Sequence, residues 1–161
     1  MTVSKPIDQR SVGRQIVALL GFLLLTFAAP AAGVWTTSPE WYQQLARPTW
    51  SPPPGIFGPV WTALYLLMAV AAWLVWRRGG WARQRRPLTL YVVLNAAWTP
   101  VFFGLRQPGF ALAIIILLWL AILATVIAFG RVQKWAMTLL LPYLAWVSFA
   151  TALNFAIWRL N

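Results

Sequence analysis

The sequence predicts an all-α membrane protein, a five-transmembrane-helix bundle with a long first loop acting as a lid. Three observations carry this expectation. Five stretches, residues 16–34, 56–76, 88–105, 109–130 and 135–158, contain no charged residue and run 18 to 24 residues each. As helices rising about 1.5 Å per residue, each matches the roughly 30 Å hydrocarbon core of a bilayer. All 13 Lys and Arg residues fall outside these stretches, and the chain is 61% hydrophobic against 9% charged. A soluble domain is far more polar, because its helices need a wettable face. The spans take up about 100 of the 161 residues and leave no room for a separate extramembrane domain, so one transmembrane domain over 1–161 is expected.

The first span, 16–34, follows a basic lead and contains Ala29-Pro30-Ala31, features shared with secretory signals. Its 19 residues exceed the usual 7–15 of a signal core, which favours a retained span. The connection after it, 35–55, is long where the others are minimal, and such loops usually carry function. Ser38-Pro39-Glu40 reads as a helix start, with Ser as cap, Pro in the first turn and an acid near the helix N-terminus. A short helix from 39 to about 45 would place Trp41 and Leu45 on one side. Pro52-Pro53-Pro54 then imposes a stiff extended segment. A basic, solvated loop is expected at 77–87, with Pro87 in the first turn of the third span. The links 106–108 and 131–134 are so short that spans three, four and five must be antiparallel neighbours. Pro142 lies inside span five and should bend it.

Composition removes whole classes of chemistry. There is no cysteine and no histidine, so no disulfide, zinc, iron–sulfur or conventional haem ligation is expected, and no cofactor. The two acids, Asp8 and Glu40, both lie outside the spans. A proton relay of buried carboxylates is thereby excluded, as is a His-based nucleophile pair. The net charge of +11 sits in short loops beside apolar spans, which reads as lipid-headgroup contact and orientation signal, not nucleic-acid binding. Lys5, Arg10, Arg14, Arg77, Arg78, Arg83, Arg85, Arg86, Arg131 and Lys134 would share one side, against Arg47, Arg106 and Arg159 opposite. That bias places the amino terminus inside and the carboxyl terminus outside.

Twelve tryptophans mark the chain. Trp35, Trp61, Trp76, Trp135 and Trp158 fall at span ends, as in an interfacial aromatic belt. Trp98 and Trp146 fall midway along their spans; so does Trp119, but among aliphatic neighbours that fit packing or lipid contact. Tyr91, Asn95, Trp98 and Phe102 share one face of span three. Pro142, Trp146, Phe149 or Ala150, and Leu153 or Asn154 do so on span five, and Trp61, Tyr65 and Met68 on span two. An asparagine in lipid needs a partner. For Asn154 an interhelical hydrogen bond is expected; Asn95 suits that role or ligand contact equally. Three aromatic faces with a few fixed polar groups would make a pocket for a flat or rigid apolar ligand.

The run RPTWSPPPGIFGPVWTALY from Arg47, the segment NAAWTPVFFG from Asn95, and PYLAW from Pro142 with Leu153-Asn154-Phe155 resemble the TspO/MBR family, the tryptophan-rich sensory proteins and translocator or peripheral benzodiazepine receptors. The resemblance implies a five-helix bundle, commonly dimeric, with a cavity closed by the first loop. It implies porphyrin, cholesterol or other sterol, and benzodiazepine-type ligands, and roles in tetrapyrrole transport or sensing. Carried over by motif, the cavity residues are Trp41, Tyr42, Pro48, Trp50, Trp61, Asn95, Trp98, Trp146 and Ala150. Tyr65, Phe102 and Phe149 join them from the helical faces above. The family's sterol motif is broken here, because Phe155 replaces its tyrosine between Leu153 and Arg159. Lacking His and Cys, the pocket favours a metal-free porphyrin, and Arg47 or Arg106 is expected to pair a propionate.

A receptor or carrier for porphyrin-like ligands is therefore the leading expectation. The alternative is light-dependent porphyrin degradation, with Trp61 and Trp146 as the photochemical residues. A second alternative is a structural membrane partner with no small ligand. Small residues Ala96, Ala97, Gly104 and Gly109 would let a second copy approach closely, fitting a homodimer.

Overall fold

A computed structural model describes residues 11–34, 39–79 and 81–161. Among them the fold is entirely helical: α1 (Val12–Val34), α2 (Pro39–Gln44), a 3₁₀ turn (Pro54–Ile56), α3 (Phe57–Arg77), α4 (Trp81–Thr99), a π turn (Pro100–Gly104), α5 (Pro108–Gly130) and α6 (Lys134–Leu160). Pro54–Arg77, Pro108–Gly130 and Lys134–Leu160 are long and apolar enough to cross a membrane, and Val12–Ala28 and Leu88–Gly104 form shorter apolar helical stretches. The chain is an integral membrane helical bundle. Leu117, Leu120 and Ile127 on α5 and Val93 on α4 point outward at around half their full exposure. That arrangement costs nothing against lipid tails, which are as apolar as the side chains themselves.

Packing follows the helical repeat. On α6 the buried positions are Ala136, Leu140, Tyr143, Val147, Ala150, Leu153, Asn154 and Ile157, one stripe at steps of three and four. The stripe on α5 runs Ala111, Ile115, Leu118, Ile122, Thr125, Val126 and Phe129. Small residues such as Ala69, Ala71, Ala72, Ala111 and Ala136 are fully buried, letting helices approach closely. The two buried threonines bond within their own helices, Thr26 Oγ1 to the Leu23 carbonyl (3.1 Å) and Thr125 Oγ1 to the Ala121 carbonyl (2.7 Å). Trp119 is a packing residue, its indole N–H donating to Ser148 Oγ on α6 at 2.7 Å.

Two expectations change. The segment expected as a solvated loop over 77–87 is mostly helix, since α4 begins at Trp81 and Pro87 is its seventh residue. Ala82, Arg83, Gln84, Arg85 and Arg86 are all strong helix formers, so the helix continues beyond the apolar stretch. At the other end of that span, Pro100 does more than mark a helix terminus. Its ring nitrogen has no proton to give, and the backbone widens there into a π turn closed by Leu105 N–H on the Pro100 carbonyl at 2.9 Å. Arg106, at φ 55°, takes the left-handed conformation that turns the chain into α5. The Ser38 cap, Trp35, Lys5 and Arg10 lie outside the described residues.

Candidate functional site

Beneath the first loop the helices part around a cavity of about 460 Å³, within the range of small-molecule sites. α3 contributes Phe57, Gly58, Trp61 and Tyr65, preceded by Pro54; α4 and its π turn contribute Asn95, Trp98, Thr99, Phe102 and Phe103. α6 contributes Trp146, Ala150, Leu153, Asn154 and Ile157, and α2 closes the top with Tyr42. Among the described residues, no Lys, Arg, Asp or Glu lines the space.

The rings form paired plates. Trp61 stacks on Tyr65 with centroids 5.5 Å apart and planes 25° apart, and Trp98 stacks on Phe102 at 5.1 Å and 24°. Phe57 meets Trp146 edge-on at 5.9 Å. In a regular α-helix, consecutive residues diverge by about 100°. The π turn brings Phe102 and Phe103 to the same cavity, centroids 4.8 Å apart. The same two rings receive Trp41 (5.7 and 6.5 Å) and Tyr42 (6.4 and 5.7 Å) from α2. The loop therefore rests on the aromatic wall of the cavity.

Polar groups are few and fixed. Asn95 Nδ2 donates to the Tyr65 hydroxyl at 3.2 Å, joining α4 to α3 and leaving the Tyr65 proton and Asn95 Oδ1 uncommitted. Thr99 follows Asn95 by one turn on the same wall. Asn154 accepts the Trp98 indole N–H at 3.1 Å and donates to the Pro108 carbonyl at 2.8 Å, so it locks the ring between α6 and the start of α5.

Of the residues expected from sequence, Tyr42, Trp61, Tyr65, Asn95, Trp98, Phe102, Trp146 and Ala150 line one cavity. The other five do not. Trp41 stands behind Phe102 and Phe103, while exposed Trp50 covers Phe149, 5.7 Å away, which in turn packs on Trp146 at 5.4 Å. Pro48 lies in the loop, its carbonyl accepting the Ser51 N–H at 3.0 Å. Arg47 is at the rim, its guanidinium 5.4 Å over the Tyr42 ring, and Arg106 is exposed in the link before α5. On the three faces read from sequence, Tyr91 and Met68 are buried below the cavity, and Pro142 faces outward.

Several liners escaped the sequence reading. Phe57, Gly58 and Ile157 extend the α3 and α6 faces by one turn, and Thr99 is four residues beyond Asn95, so periodicity alone could have found them. Asn154 and Leu153 stood on the α6 face but were not assigned to the pocket. Phe103 had no periodic signal, because only the π turn brings it round. Of the sterol-motif positions, Leu153 points into the cavity, whereas Phe155 and Arg159 are exposed. Gly109 is engaged within the chain: a methyl there would sit 2.9 Å from Trp158 Nε1.

Residues 18–159 match the TspO/MBR family. The chain belongs to the TspO/MBR family. It is 40% identical over 144 residues to a tryptophan-rich sensory protein of Cereibacter sphaeroides, covering 86% of this chain and 91% of the relative. It is 41% identical over 157 residues to the human translocator protein, covering 90% of each. A tryptophan-rich protein TspO of Chlorobaculum tepidum is 39% identical over 158 residues, covering 93% of this chain and 99% of the relative. These likenesses run through both the loop and the cavity helices.

Proposed function

We propose that this protein is a membrane receptor or carrier that binds a metal-free, protoporphyrin-type tetrapyrrole in the cavity beneath the first loop, in tetrapyrrole transport or sensing. The observation that carries this reading is the cavity of about 460 Å³ walled by two stacked ring pairs, Trp61–Tyr65 and Trp98–Phe102, with no charged liner among the described residues. Flat faces suit a planar conjugated ligand. The Tyr65 proton and Asn95 Oδ1 offer a donor and an acceptor of the kind that a pyrrole N–H and its unprotonated neighbour nitrogen can meet. Carboxylates on the ligand would stay at the rim, where Arg47 lies against Tyr42. Broken as it is at Phe155, the sterol pattern supports no more than a secondary sterol ligand. The topology that goes with this reading is the amino terminus inside, and the assembly a homodimer.

The experiment is titration of purified protein with protoporphyrin, read by quenching of tryptophan emission, in darkness and then under light. Saturable quenching with porphyrin recovered intact supports the carrier. Stacked, oxidisable Trp61 beside Tyr65 favours a second reading, light-dependent degradation; a new pigment lost in Trp61→Phe or Trp146→Phe would establish it instead. No saturable quenching by any porphyrin sinks both. Because the chain has no cysteine, Ser4→Cys and Gln107→Cys probed with an impermeant maleimide in intact cells report topology without background.

A further inference from the structure

We infer that Asn161 is a positioning residue: it latches the first loop over the cavity and sets how fast a ligand enters and leaves. The inference rests on the cavity reading above and concerns its regulation. The Asn161 carboxamide makes three hydrogen bonds. Nδ2 donates to the Ile157 carbonyl at 2.8 Å and to the Ala46 carbonyl at 3.0 Å, and Oδ1 accepts from the Ala46 N–H at 3.0 Å. An amide nitrogen carries two protons, so both donations hold together. One side chain thus satisfies both the backbone N–H and the backbone carbonyl of Ala46 in a two-way pair, while the bond to Ile157 fixes its direction. Ile157 itself lines the cavity.

Ala46 stands where the loop leaves α2. Next to it, Arg47 lies over Tyr42, which roofs the cavity. Beyond it, Pro48, Pro52, Pro53 and Pro54 stiffen the chain as far as the 3₁₀ turn, so this segment moves as a strap and must release at its ends. Its ring contacts, Trp50 on Phe149 and Tyr42 on Phe102 and Phe103, permit sliding. The Asn161–Ala46 pair permits one register only. It therefore holds the strap down at the end where Tyr42 must lift, and neither residue is among the cavity liners. Its loss lowers the barrier to opening without altering the cavity walls.

The test uses the full chain in lipid nanodiscs, with metal-free protoporphyrin as the probe and stopped-flow quenching of tryptophan emission as the readout. Two lost hydrogen bonds at an exposed site correspond to about a tenfold faster opening. Asn161→Ala is expected to raise association and dissociation rates by that same factor, with Kd within about twofold of the parent, as for a lid that gates without binding. Asn161→Asp, which keeps the acceptor for the Ala46 N–H and loses both donors, should fall between. Ala46→Cys with Asn161→Cys, the sole thiols in the chain, should block exchange when oxidised and recover fast exchange on reduction. Amide hydrogen exchange at Ala46 without ligand supplies a reading independent of porphyrin, and Asn161→Ala should accelerate it. If the parent shows no saturable quenching, the cavity reading fails, and hydrogen exchange still decides the latch. Unchanged exchange at Ala46, unchanged rates, or a weaker Kd through dissociation alone would each overturn the inference.

Discussion

Asn154→Leu tests whether one buried amide holds the cavity wall in place. Asn154 is 2% exposed and serves two elements, accepting the Trp98 indole N–H at 3.1 Å and donating to the Pro108 carbonyl at 2.8 Å. Leucine keeps the branched heavy-atom outline and removes both bonds. The Pro108 carbonyl retains the helical amide that a first-turn carbonyl accepts, so its loss is minor. The indole N–H has no such substitute. An unsatisfied buried donor costs about 1–3 kcal/mol in a water-referenced protein. Within a bilayer the unfolded reference also finds partners, and measured interhelical bonds average about 0.6 kcal/mol with a maximum near 1.7. The added apolar surface contributes nothing against lipid tails. A destabilisation of roughly 1–2 kcal/mol follows, or a fall in Tm of about 2–8 °C for a chain of this size. The assay is reversible denaturation in mixed micelles, run as a double-mutant cycle with Trp98→Phe. Trp98→Phe removes the same indole donor, so the two changes should be strongly non-additive. Additivity within about 0.3 kcal/mol would refute the claim that Asn154 acts through Trp98.

Three further outcomes follow from the same geometry. Arg47→Ala should weaken protoporphyrin several-fold, by up to about 1 kcal/mol for a rim ion pair, and leave the dimethyl ester unaffected; equal losses for both ligands would place the effect in the cation–π contact with Tyr42. Phe103→Ala removes one of the two rings on which Trp41 and Tyr42 rest, and should red-shift and broaden tryptophan emission while costing less than the roughly 3 kcal/mol of a fully buried phenylalanine; an unchanged spectrum would show that α2 is held elsewhere. Ser148→Ala deletes the 2.7 Å bond from Trp119, on the α5–α6 contact away from the cavity. It should lower stability by less than about 1 kcal/mol with porphyrin affinity unchanged, and a loss of affinity would contradict that separation.

The bundle was legible because its signals are local. Charge-free runs of bilayer length gave the helices, and steps of three and four gave the faces on which Asn95, Trp98, Trp146 and Ala150 meet. What the sequence hid depends on backbone changes or on contacts between distant elements. Phe103 reaches the cavity only through the π turn, and nothing in a regular helical count shows that step. Trp50 sits in a motif-rich loop, yet it lies over Phe149 instead of facing the cavity, a choice made by the tertiary fold. The Asn161–Ala46 pair joins residues 115 positions apart, which no pattern in a single sequence reveals.

The widened turn at Pro100–Gly104 makes the fourth helix a spiral with one residue too many. Deleting a single amino acid there would heal the spiral into ordinary winding, usually a benign edit. Here the repaired helix would swing one phenylalanine out toward the acyl chains and leave the second loop-bearing ring without its neighbour. The regular version would be the better helix and the poorer container.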